Sequence, residues 1–371
     1  MKYNNKQEAA IRMAKEWFNF QVNAVFTIGG YAGTGKTTVA KGIIDSLGVK
    51  PEEVAFVAFT GKAANVMASK GMTGAKTIHS LIYHPKELPD GGVIFQKKPK
   101  KALRGLKLIV LDEASMVGKK IFQDLMSYDI PILALGDPGQ LPPVSSLRTG
   151  LLDHPDVLLE EIMRQDAGSG IVRFAEAVRN GHIPVASDDG KFGKEVKILP
   201  SSVAANDAAF TKIVTKSQII CGKNATRIGI NRYAKTSVFD KNPDKFQKGD
   251  KVICLENNFQ CSAESNVGKL TLVNGLSGIM ASDIMKNADE HQHFYLEVPE
   301  LDACFDAPFG YQKFSEVPLP NFDFAYAITC HKSQGSEYDN LTVLDEPVGA
   351  KAAQWRYTAI TRAKKQLLYL V

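Results

Sequence analysis

Residues 24–47 read "AVFTIGGYAGTGKTTVAKGIIDSL", and the fold of the chain follows from them. A short apolar run stops at two glycines, and a run with helical periodicity begins after Gly35. Between the two, Gly30, Gly35, Lys36 and Thr37 satisfy the spacing G-x-x-x-x-G-K-[ST] with a strand before it and a helix after it. Glycines let backbone amides turn inward around a phosphate, a lysine reaches the outer phosphates, and the Thr37 hydroxyl suits Mg²⁺. The phosphate cradle comprises Gly30, Ala32, Gly33, Thr34, Gly35, Lys36, Thr37 and Thr38. A glycine-rich turn without a ligand is the plain alternative, and correct flanks on both sides count against it.

Three further strand-like runs lie downstream: "VAFVAFT" (54–60), "LKLIVLDE" (106–113) and "IPILALGD" (130–137). Their alternation with helical segments is the pattern of a parallel α/β sheet. Ligands of such sheets sit beyond the carboxyl ends of the strands, and each run ends in residues that carry chemistry. Asp112 and Glu113 close the run "LIVL", where a buried strand would otherwise leave charges unpaired. Asp112 suits Mg²⁺ held through water, and Glu113 suits a general base acting on the attacking water. Gln140, just past the turn in "GDPGQLPPV" (136–144), offers a neutral amide to the γ-phosphate or to that water. The combination points to an NTP hydrolase and leaves kinase, switch GTPase and motor open.

At 371 residues the chain exceeds the size at which single cores stop growing, so two or more domains are expected. The second half has its own strand-like runs, "SQIIC" (217–221) and "LTVLD" (341–345), and no second G-x-x-x-x-G-K. It offers Arg362 in a short polar break between helix and strand. A second α/β domain with an arginine but no phosphate loop is what a cleft-closing ATPase needs to meet transition-state charge. Forty-five Lys and Arg against forty Asp and Glu leave a charge of +5, which permits nucleic-acid binding without demanding it. The five cysteines form no C-x-x-C pair, so zinc, iron-sulfur and disulfide frameworks are not expected and a reducing, cytoplasmic setting is. Neither a secretory signal nor an apolar run of membrane length is visible.

The chain resembles superfamily 1 DNA helicases of the RecD and Dda group, most of all the small phage Dda-like enzymes. The residues that carry the likeness are, in order, "NNKQEAA", "GGYAGTGKTT", "AFTGKAA", "TIHS", "LDEAS", "GDPGQLPPV", "EIMRQ", "TCHKSQGSEYD" and "AITRAK". The resemblance implies two RecA-like parallel-sheet domains, at 1–83 with 102–160 and at 161–248 with 319–371. It also implies that Gln7 reads adenine, that Arg164 and Arg362 meet the γ-phosphate, and that Glu337 contacts the ribose. Thr60, Lys62, His79, Ser80, Thr329, His331 and Lys332 would line a single-strand path, expected on the opposite side of the sheet ends. Hydroxyls, amides and a few cations suit a phosphate track that binds without reading sequence. ATP and Mg²⁺ are the implied ligands, single-stranded and forked DNA the implied partners, together with replication or single-strand-binding proteins, and the expected species is a monomer.

Two inserts stand apart. In 84–101 the turn "PDGG" between extended runs reads as a β-hairpin followed by "KKPKK". By resemblance this hairpin is the pin that splits the duplex, with Phe95 stacking on a base; core packing of Phe95 is the rival. The segment 249–318 is strand-rich and consistent with a small SH3-like barrel, "HQHFYLEVPEL" (291–301) showing partial alternation. The mechanism implied is ATP-driven movement on single-stranded DNA, 5′ to 3′, with hydrolysis in the cleft between the two RecA-like domains. A phosphotransferase or switch NTPase without motor activity is the alternative; it shares the phosphate loop, leaves the second domain unexplained, and lacks an N-K-x-D guanine motif here.

Overall fold

The computed structural model of the chain describes residues 3–87, 93–142, 147, 149–161, 169–265, 268–312, 320–347, 349 and 351–371. The "PDGG" turn and Arg164 lie outside these residues. Two compact units are present, Met1–Ala167 and Gly168–Val371.

In the first unit the elements run α1 (Asn5–Phe20), β1 (Val25–Gly30), α2 (Lys36–Leu47), β2 (Val54–Ala58), α3 (Gly61–Ser69), β3 (Lys76–Thr77) and α4 (Ile78–Ile82). There follow β4 (Tyr83–Glu87), β5 (Val93–Lys97), β6 (Leu108–Asp112), α5 (Lys119–Met126), β7 (Ile132–Gly136) and β8 (Val157–Leu159). Six strands form one sheet in the order β3-β2-β6-β7-β1-β8, parallel at every pairing. All four strands expected from the sequence are there, in its interior. Successive side chains of a strand point to opposite faces, and β6 divides accordingly. Leu108 and Val110 pack with Ala10, Ala14 and Trp17 of α1 and Val39 and Ile43 of α2. Ile109 and Leu111 pack with Ile78 and Ile82 of α4 and Phe122 and Leu125 of α5. A sheet covered on both faces explains why its strands read as continuous apolar runs. The two-stranded ribbon β4-β5 stands off this sheet, with Tyr83 opposite Lys97 and Pro85 opposite Phe95.

The second unit contains α6 (Gly170–Arg179), β9 (Val196–Leu199), α7 (Asp207–Lys216), β10 (Gln218–Cys221) and α8 (Asn224–Tyr233). Next come β11 (Lys251–Cys254), β12 (Asn258–Ser265), β13 (Gly268–Leu272), β14 (Ser277–Met280), β15 (Met285–Lys286), β16 (Gln292–Val298), β17 (Ala303–Pro308) and β18 (Phe322–Phe324). The chain ends with β19 (Ala327–Thr329), β20 (Tyr338–Leu344), α9 (Ala352–Ile360) and β21 (Ala363–Leu370). A second parallel sheet has the order β19-β10-β20-β21-β9.

The segment between β10 and β19 builds an antiparallel sheet, β15-β16-β14-β11-β18 with β17 on β16, and a separate β12-β13 hairpin. The alternation read in "HQHFYLEVPEL" puts Phe294, Leu296 and Val298 inside. Strand β18 pairs with β11, so this sheet continues past residue 318. A buried ionic node marks the entry to the insert. Asp250 accepts from Lys235 at 2.6 Å, Lys241 at 3.0 Å and the Tyr326 hydroxyl at 2.9 Å, with the Lys235 and Asp250 side chains wholly buried.

Candidate nucleotide site and strand-binding residues

The phosphate loop joins β1 to α2 at the carboxyl edge of the first sheet. Gly33 and Gly35 take φ of +82° and +83°, a region in which a side chain is strained. At Gly30 an added Cβ would lie 2.7 Å from Thr34 Oγ1 and 3.0 Å from Lys36 Cγ, so the concavity depends on its absence. The Thr34 hydroxyl donates to the Tyr31 carbonyl at 2.8 Å, and Lys36 Nζ donates to the Gly30 and Tyr31 carbonyls at 2.6 and 3.2 Å. The N-cap of α2 is Gly35, which supplies no side-chain cap bond, so the first-turn amides are left to an anion.

Gln7 is buried under this loop. Its Nε2 donates to the Thr34 carbonyl at 3.2 Å, while Oε1 accepts from the Asn4 amide and Asn4 Oδ1 accepts from the Gln7 amide. The glutamine expected to read adenine thus also closes the capping box of α1 and touches the loop itself.

The neighbouring strand ends carry the other hydrolytic candidates. Asp112 ends β6, one oxygen accepting from the Glu113 amide at 2.9 Å. Glu113 takes φ of +52°, an uncommon conformation for a non-glycine residue. Past β7, Asp137 is fully buried and accepts from the Gly139 amide at 2.8 Å, folding the turn that presents Gln140. Gln140 is 6% exposed and its Oε1 has no hydrogen-bond partner among the described residues. An unmet buried acceptor costs free energy, so this one fits an incoming donor such as a water. The residues present therefore fit a triphosphate with Mg²⁺. Asp137 is not among the residues expected from the sequence, although an aspartate before Pro-Gly is the signal of a side-chain-capped turn.

In the second unit Arg362 is 5% exposed, and its guanidinium donates to the carbonyls of Thr358 and Ser336 and to Thr361 Oγ1. No carboxylate pairs with it among the described residues, an expensive state for a buried cation. Its own carbonyl accepts from the Tyr338 amide at 2.7 Å, so residues 336 and 338, on either side of Glu337, are both tied to it. Where a phosphate would sit at the start of α8, the chain supplies its own anion. Glu346 accepts from the Gly222 and Lys223 amides at 3.1 and 2.9 Å and from the Thr226 hydroxyl at 2.7 Å.

The strand-binding candidates depart from the expected placement. Thr60 follows β2 and caps α3, accepting from the Ala63 amide, and His79 and Ser80 follow β3. They lie at the same carboxyl edge as the phosphate loop, toward the β3 side, and not on the opposite side of the sheet ends. In a parallel sheet every strand-to-helix turn leaves from that edge. Lys62 is 4% exposed and so does not present an open cation to solvent. Ser80 is engaged with Thr77, its hydroxyl donating to the Thr77 carbonyl at 2.9 Å. Burial lowers the pKa of His79 below its ordinary value, and the ring packs near Tyr83 and Phe95, at centroid distances of 5.5 and 6.3 Å. Phe95 itself is 58% exposed on the ribbon, which is against core packing. In the second unit Thr329 ends β19, His331 is half-buried with its pKa lowered by burial, and Lys332 donates to Asn274 Oδ1 at 3.1 Å.

A parallel sheet with a phosphate loop at its carboxyl edge defines a P-loop nucleotide-binding domain. The chain belongs to the AAA domain family, whose model matches residues 2–194. Residues 324–371 match the UvrD-like helicase C-terminal domain. The ATP-dependent RecD2 DNA helicase of Deinococcus radiodurans is 26% identical over 359 residues, covering 90% of this chain and 45% of that protein. The ATP-dependent DNA helicase dda of Enterobacteria phage T4 is 31% identical over 185 residues, covering 45% of this chain and 42% of that protein. The chain thus spans less than half the length of these relatives. The crystal structure of Bacteroides Pif1 bound to ssDNA superposes with a TM-score of 0.62 at 19% identity, covering 100% of this chain and 92% of that one. At that identity it carries the fold alone, an α/β fold with parallel sheets. The resemblance to the RecD and Dda helicases drawn from the nine motifs is borne out. No helix among the described residues is long and apolar enough to cross a membrane.

Proposed function

We propose that the chain is an ATP-dependent DNA helicase that moves 5′ to 3′ on single-stranded DNA as a monomer and separates the duplex ahead. The observation that carries this over a phosphotransferase or a switch is Arg362, a buried cation with no carboxylate partner among the described residues, in a unit whose sequence has no phosphate loop. Its chemistry calls for an anion, and in a motor that anion is the γ-phosphate. The named activity of the RecD2 and dda relatives supports the same reading.

On ATP binding Lys36 exchanges the Gly30 and Tyr31 carbonyls for the β- and γ-phosphates. Thr37 and Asp112 would hold Mg²⁺, which supplies charge neutralisation on the phosphates when bound. Gln140 Oε1 accepts a hydrogen bond from the attacking water, Glu113 takes its proton, and Arg362 with Arg164 meets the charge of the transferred group. Gln7 and Glu337 hold the base and the ribose. Because ATP and its products favour different conformations, turnover becomes displacement. The strand runs along Thr60, Ser80, His79, Thr329, His331 and Lys332, and exposed Phe95 on the β4-β5 ribbon acts as the pin. The antiparallel insert is an SH3-like module. The test is steady-state ATP hydrolysis with and without single-stranded DNA: strong stimulation is expected, and a rate indifferent to DNA would sink the motor reading.

A further inference from the structure

We propose that Thr361 is a positioning residue that sets the direction of the Arg362 guanidinium. The planar fork of an arginine has five N–H donors in fixed directions. Three are engaged here: Nε with the Thr358 carbonyl at 3.1 Å, Nη1 with the Ser336 carbonyl at 3.3 Å, and Nη2 with Thr361 Oγ1 at 3.1 Å. One donor on each terminal nitrogen remains, and those two face whatever the fork was built to meet. Two of the three partners are backbone carbonyls, which no substitution at their own side chains removes. The third is the Thr361 hydroxyl, the one side chain in the set.

That hydroxyl is itself fixed, because it donates to the Thr358 carbonyl at 3.0 Å. With its single proton committed there, only its lone pairs face Nη2, and a chain of bonds runs from Arg362 through Thr361 to Thr358. Both threonines are buried, so water does not readily take the place of the hydroxyl. Thr361→Val replaces the hydroxyl with a methyl of nearly the same volume. The Thr358 carbonyl still accepts from Arg362 Nε, so no backbone group is orphaned. What is lost is the contact that fixes the Nη2 edge of the fork.

This rests on the reading of Arg362 as a γ-phosphate arginine, so the experiment includes that residue. Hydrolysis is measured at saturating single-stranded DNA for Thr361→Val, Thr361→Ser, Arg362→Ala and the Thr361→Val/Arg362→Ala double variant. Misdirection of a transition-state cation is expected to lower kcat of Thr361→Val about tenfold with KM for ATP within about twofold. Thr361→Ser restores kcat. In the Arg362→Ala background Thr361→Val changes kcat by less than about twofold, as two residues acting through one group require. Full kcat in Thr361→Val beside a strongly reduced but measurable kcat in Arg362→Ala overturns the positioning role alone. Full hydrolysis by Arg362→Ala overturns the assignment of the arginine itself. A Thr361→Val loss that Ser does not rescue, and that comes with weaker DNA binding and a lower Tm, shows a packing role and also overturns it.

Discussion

Lys36 holds its own loop together before a nucleotide arrives, with its ammonium on the Gly30 and Tyr31 carbonyls. Lys36→Ala removes both that tie and the cation for the outer phosphates. ATP hydrolysis should fall to background while a fluorescence titration with single-stranded DNA keeps its affinity; a parallel loss of DNA binding would show that the lysine serves the strand as well. Gln140 gives a sharper separation of stability from activity. Its Oε1 is an unmet buried acceptor, so Gln140→Leu removes a desolvation cost while deleting the group that would hold the water. We expect kcat to fall about 10- to 100-fold with Tm unchanged or raised, read by hydrolysis and calorimetry on one preparation. The phosphate loop, Asp112 and Arg362 were legible as residues because their types and spacing are dictated by phosphate chemistry. The burial of Lys62 and the dual engagement of Gln7 were not legible, since both depend on contacts distant in sequence.

At the level of elements, a carboxylate often decides where a helix or turn begins. Glu346 fills the start of α8, and Asp188 organises the turn after α6. Burial pushes the Asp188 carboxyl up, but bonds from Lys191, the Val185 amide and His182 outweigh it and bring the pKa to about 2 from 3.8. A carboxylate whose pKa is depressed on folding adds stability above its unfolded value, and that share is lost as pH falls through the folded one. Asp188→Asn should therefore cost roughly 2 kcal/mol at neutral pH, and the gap should close between about pH 4 and pH 2 in urea titrations. An equal gap at both ends would mean that the charge is irrelevant. The long interior strands β1, β2, β6 and β7 were readable because burial on both faces writes a continuous apolar run. Edge strands such as β3 and β8, of two and three residues, carry too little sequence to show a period. The Lys235–Asp250 pair was invisible for another reason: a buried ion pair leaves no local pattern when fifteen residues separate its members.

For the whole molecule, the central claim is that nucleotide chemistry in the first unit drives movement along a DNA strand. The proposed roles of Asp112, Glu113 and Gln140, and an Arg362 that no carboxylate pairs among the described residues, are consistent with a hydrolase that needs a second unit. Phe95, exposed on the β4-β5 ribbon with its ring 6.3 Å from that of His79 in α4, is the residue proposed as its wedge. The edge at which Thr60, His79 and Ser80 lie was not legible, because residue types do not say that a parallel sheet sends all its strand-to-helix turns to one edge. The most direct measurement is ATP-dependent unwinding of duplexes that carry a single-stranded tail at either the 5′ or the 3′ end. The account predicts strand separation with ATP only when the 5′ tail is present, and its loss with Lys36→Ala. Unwinding that requires the 3′ tail, or of neither duplex under conditions where DNA-stimulated hydrolysis is measurable, would contradict it.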